Sequence, residues 1–60
     1  MNAEINLCNQ QLDLIAYWAK QAIRFDREAD RAIAERDWPG LRLAIIARNQ
    51  SRAAIDWLIA

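Results

Sequence analysis

"RDWPGLR", Arg36–Arg42, holds the only glycine and the only proline of the 60-residue chain. Elsewhere Ala, Leu, Ile, Arg, Gln and Glu dominate, and every β-branched residue is Ile. One point of punctuation in a helix-forming sequence means two helices and one turn. Asp37 is placed to accept a hydrogen bond from a first-turn amide, and Pro39 is tolerated there because those amides lack intrahelical partners. The spacing predicts helix 1 over about residues 3–36, a turn at about 37–39 and helix 2 from about 39 to 60. So short a connection folds the chain into an all-α antiparallel hairpin with a long helix 1 and a shorter helix 2.

In such a hairpin, residues whose numbers sum to about 77 lie side by side. Helix 1 then overhangs helix 2 and carries Ile5, Leu7, Cys8, Leu12, Leu14 and Ile15 past its end. At roughly 100° per residue, Ile5, Cys8, Leu12, Ile15, Ala19, Ala22, Ala29 and Ile33 form one seam of helix 1. Leu7, Leu14, Trp18, Phe25 and Ala32 widen it to roughly 200°, twice the arc of an ordinary surface helix. Helix 2 is apolar nearly all round, with Arg42, Asn49 and Asp56 as its clear solvent strip. One partner helix cannot cover so much surface. A 60-residue chain also buries only about 60% of its unfolded surface. A homo-oligomer is expected, most simply a dimer forming a four-helix bundle, with Ile5, Cys8, Leu12, Ile15, Trp18, Ile46 and Trp57 at the interfaces.

The exception within helix 2 is "RNQSR", Arg48–Arg52, set between "LRLAIIA" and "AAIDWLIA". The register places it opposite "RFDREADR", where Asp26 and Asp30 fall inside the apolar arc of helix 1. Asp26, Asp30, Arg48, Ser51 and Arg52 are therefore expected to form one polar layer, the carboxylates pairing the guanidiniums. Unpaired buried charges cost several kcal/mol, so such a layer fixes register. Its alternative role is a ligand pocket between helices.

Eight basic and eight acidic residues cancel, which disfavours nucleic acid as a partner. No apolar run approaches the ~20 residues that span a bilayer, and "MNAEINLCNQ" does not read as a signal peptide. A cytoplasmic protein is expected, with a reduced thiol. The lone Cys8 forms no internal disulfide and has no neighbouring base to activate it. The absence of His excludes histidine phosphotransfer and removes the commonest zinc ligand, which four-helix metal sites generally add to their carboxylates, so no metal and no cofactor are expected. With no catalytic motif present, a non-catalytic role is expected. Lys20, Arg24, Arg27 and Arg31 make one basic stripe along helix 1, with Tyr17 beside its start. The stripe is either a phosphate-binding face with an aromatic for stacking or a solvated face neutralised by Arg24–Glu28, Arg27–Asp30 and Arg31–Glu35 pairs. Trp18 and Trp57 share the open end of the hairpin as packing residues, whereas Trp38 marks the turn as an exposed contact.

"EINLCNQQLDLIAYWAKQAI", Glu4–Ile23, resembles a helix of the hairpin domain of phage cyclic-nucleotide sponges that blunt CBASS-type defence. Glu4, Leu7, Leu12, Asp13, Tyr17, Trp18, Ala19 and Ile23 carry the likeness, over a third of the chain. In those sponges the helix lies near the C-terminus, whereas here 37 residues follow it. The resemblance implies a small oligomeric helical protein of the host cytoplasm that captures an anionic nucleotide between subunits. Phosphates would meet Arg24, Arg27, Arg31, Arg48 and Arg52, and bases would meet Tyr17 or a Trp. The rival expectations are a protein-binding regulator or inhibitor of a host protein and an RNA-binding hairpin dimer.

Overall fold

Cys8 and Asn9 are weak helix formers, and sustained helix-favouring sequence begins only after them. A computed structural model of the chain describes residues 7–60. Leu7 and Cys8 are non-helical, and α1 spans Asn9–Ala34. Gln11 turns back so that its Oε1 accepts the Cys8 amide hydrogen at 3.0 Å, which satisfies an otherwise orphaned donor. Residues 7 and 8 are thus outside helix 1, contrary to expectation, the expected start at residue 3 lies outside the described residues, and α1 overhangs α2 by about two turns. Cys8 is exposed at the helix entrance rather than buried on a seam, and Ile5 lies outside the described residues.

α1 also stops earlier than expected, at Ala34, because Arg36 adopts a left-handed conformation with φ 54°. The Arg36 amide donates to the Ile33 carbonyl at 3.1 Å and the Asp37 amide to the Ala32 carbonyl at 2.8 Å. This pair of bonds closes the end of a helix around a left-handed residue, a place usually taken by Gly. α2 then spans Trp38–Ile59. Asp37 caps it as the sequence predicts, its Oδ1 accepting the Gly40 amide hydrogen at 3.0 Å. Gly40 leaves room for the Asp37 carboxylate, which a Cβ in its place would make shift. Pro39 sits in the first turn, where no intrahelical acceptor awaits its missing N–H.

The two helices pack against each other as an antiparallel hairpin, with no strand among the described residues. Ile15, Trp18, Ala22, Phe25, Ala29 and Ala32 line the α1 side of the contact. Leu41, Ala44, Arg48, Ser51, Ile55 and Leu58 line the α2 side, and all twelve are buried or half-buried. The spacing alternates between three and four along both helices, the signature of a coiled-coil seam. Its most buried members are small: Ala22, Ala29, Ala32, Ala44 and Ser51. Small side chains let the helices approach closely, but they leave little apolar area inside the hairpin.

The seam is rotated from the expected one. Leu12 and Ile33, expected on it, are 48% and 52% exposed, while Trp18, Phe25 and Ala32 turn inward. The apolar arc of α1 is wider than one helix can cover, and α2 packs to one side of its centre, where the small residues lie.

Candidate functional site

The polar residues expected to form one layer fall into three situations. Asp26 faces α2 and receives both guanidiniums, Arg48 Nη1 to Oδ1 at 3.4 Å and Arg52 Nη2 to Oδ2 at 3.8 Å. The register that opposed these segments is thereby observed. Asp30 is exposed and has no ion-pair partner within 4 Å among the described residues, because it lies about 40° further round the helix than Asp26. Ser51 is 1% exposed, but its hydroxyl donates to the Ala47 carbonyl of its own helix at 3.0 Å rather than across the seam. Arg48 also donates to the Asn49 side chain at 3.4 Å, while its Nε is buried without a partner.

The Asp26 carboxylate is itself 44% exposed, and its two bonds are long. Such pairs contribute from nothing to about 1 kcal/mol each. A layer enforced by deep burial, expected from the sequence, is not what the hairpin contains.

The basic stripe is present on the outer side of α1, but its compensation differs from expectation. Glu28 pairs with Arg31 rather than Arg24, and Arg31 also meets Glu35 at 3.9 Å. Arg31 thus takes two carboxylates. Lys20, Arg24 and Arg27 have none within 4 Å among the described residues, and Arg27 does not pair with Asp30. Together with Ile23 and Glu28, whose carboxylate is taken by Arg31, these three cations surround one shallow depression. Arg24 lies over the Phe25 ring at 5.9 Å from its centroid, which orients it toward the groove between the helices. Tyr17 is half exposed and meets Trp18 edge-on, ring centres 5.1 Å apart.

The six residues expected to hold a ligand do not share one surface. Tyr17, Arg24, Arg27 and Arg31 occupy the outer face of α1, whereas Arg48 and Arg52 are turned to Asp26 on another side of the hairpin. No group of His, Cys, Asp and Glu suited to a metal occurs among the described residues, and no described helix is long and apolar enough to cross a membrane.

Of the residues expected at subunit interfaces, Ile15 and Trp18 are half-buried in the hairpin itself, while Leu12, Ile46 and Trp57 are exposed. Trp57 reaches 79%, the highest of any large apolar side chain described. Leu43, at 68%, was not singled out by the sequence reading. A second alternating run on α2, Leu43, Ile46, Gln50, Ala53 and Trp57, would have disclosed it, since all five share one face. Comparison with protein families, with curated proteins and with solved structures finds no match for this chain.

Proposed function

We propose that the protein is a non-catalytic binding module that assembles from paired hairpins and sequesters a phosphate-bearing anion. The observation that carries the ligand class is the cluster of Lys20, Arg24 and Arg27 around one depression, without a carboxylate partner within 4 Å among the described residues. Uncompensated cations beside an apolar floor suit an anionic ligand with a flat hydrophobic part. Ile23 supplies apolar surface in the depression, and Tyr17 lies about two turns away toward the start of the stripe. Support for assembly comes from the distribution of size: the most buried residues of the hairpin contact are small, while ten large apolar side chains are exposed among the described residues. A dimeric four-helix bundle accommodates that surface. A nucleotide immune signal, captured in the cytoplasm of a phage-infected host, is the ligand implied by the resemblance of Glu4–Ile23 to cyclic-nucleotide sponges.

A thermal-shift panel of cyclic and linear dinucleotides tests this reading, because a ligand selective for the folded state raises Tm. The expected result is a shift with at least one member, weakened roughly tenfold in apparent affinity by Arg24→Ala or Arg27→Ala. No shift across the panel overturns it.

A second reading, a protein-binding regulator, is supported by the stripe Leu12, Ala16, Ala19 and Ile23 on α1, where Leu12 and Ile23 are 48% and 54% exposed. That stripe would seat a helix of a host protein.

A further inference from the structure

Along α2, the hairpin seam occupies one side and the run Leu43, Ile46, Gln50, Ala53, Trp57 another, separated by Gly40, Ala47 and Ala54. The outer border of the second run is Arg42, Asn49 and Asp56, all exposed. We infer that this second run is the subunit interface, formed by α2 packing antiparallel on α2 of a second copy about a two-fold axis near Arg48. The proposal rests on the reading that hairpins associate, and it specifies the surface and the register.

Three observations select this occupant. The first is the spacing itself: an exposed run alternating between three and four demands a helix as its cover, as the buried run does. The second is charge. In an antiparallel pair, the bordering positions on one side of the seam meet their own equivalents in reverse order. Arg42 of each copy then meets Asp56 of the other, and Asn49 meets Asn49 at the axis. Neither Arg42 nor Asp56 has an ion-pair partner within 4 Å among the described residues. Sliding one copy along the other by a heptad would replace both attractions with Asn49–Asp56 contacts in one direction and Arg42–Asn49 contacts in the other.

The third is shape. The same register sets Leu43 against Ala53, Ile46 against Gln50, and Trp57 against Pro39. A shallow depression at the start of α2 is lined by Trp38, Pro39, Arg42 and Leu43. Trp57 of the same chain lies roughly 27 Å along the helix from Pro39 and cannot reach it. The two-fold delivers the indole of each copy to the depression of the other, against Pro39 and beside the Arg42 guanidinium, where a cation–π contact is available. Gly40, Ala47 and Ala54, all small, face the interior of the resulting bundle and permit close approach.

The experiment begins with the mass of the wild-type particle by light scattering at micromolar concentration. In a Cys8→Ser background, Ala47→Cys is then oxidised, with Ala16→Cys as the counterpart on α1. Expected are a dimer, a rapid intermolecular disulfide at position 47 and none at 16. Trp57→Ala should raise the dimer dissociation constant about tenfold or more. Arg42→Asp should weaken the dimer, and Arg42→Asp combined with Asp56→Arg should restore it. Circular dichroism confirms that these surface variants remain helical. A folded wild-type monomer overturns both the proposal and the reading beneath it. A dimer that cross-links at position 16, or that the charge exchange fails to rescue, overturns this interface alone and assigns assembly to the Leu12–Ile23 stripe.

Discussion

Arg36 carries the backbone reversal in a conformation that costs a non-glycine residue about 1–2 kcal/mol. Its side chain is exposed and has no ion pair within 4 Å among the described residues, so nothing offsets that cost locally. Arg36→Gly should therefore stabilise the fold by about 1 kcal/mol, raising Tm by roughly 4–8 °C in a calorimetric scan. An unchanged or lower Tm would mean that the guanidinium has a role outside the hairpin. The conformation was illegible in the sequence because Arg is a good helix former. The Asp37 cap and the placement of Pro39, by contrast, follow from chemistry that any helix start requires. Asp26 shows the same division. Its opposition to Arg48 and Arg52 follows from rise per residue, whereas its exposure depends on which side of a broad apolar arc meets α2.

At the level of the helices, the hairpin contact is governed by size. Ala29 is 7% exposed near the middle of the seam, directly beneath α2. Ala29→Leu would insert side-chain volume where the helices are closest and should cost about 1–3 kcal/mol, read as a lower urea midpoint. If the midpoint holds, the seam is looser than the buried alanines indicate. The alternating spacing that marks this seam is written plainly in residues 15–32 and 41–58. Choosing it over competing apolar rows was not possible from hydrophobicity alone, because Leu12 and Ile33 outrank alanine on any such scale. Close approach rewards the small residue at the contact and leaves the large ones exposed. The start of α1 was misjudged for a different reason: Gln11 as the residue reaching back to Cys8 is a local signal that the wider apolar pattern overrode.

For the molecule as a whole, surface is the controlling quantity. Ten large apolar side chains are exposed among the described residues. Association of the kind proposed above would hide part of that surface and make stability depend on concentration. Tm should rise by several degrees between 1 and 100 μM protein, and a flat response would indicate that the hairpin stands alone. The breadth of the apolar surface was legible in the sequence, since counting apolar faces requires no coordinates. The state of the basic stripe was not. Its positions follow from helical spacing, but whether Glu28 neutralises Arg24 or Arg31 is a matter of side-chain rotamers.

Pro39 also guards the molecule against a different fate. Without the bend at Arg36, residues 9–59 would read as one rod of roughly 75 Å, and two rods could exchange halves instead of folding back singly. A proline inside that rod would lose a hydrogen bond and clash with the preceding turn, a penalty of about 3 kcal/mol that the bent chain escapes. One imino ring thus tilts the balance between a molecule that closes on itself and one that becomes entangled with its twin.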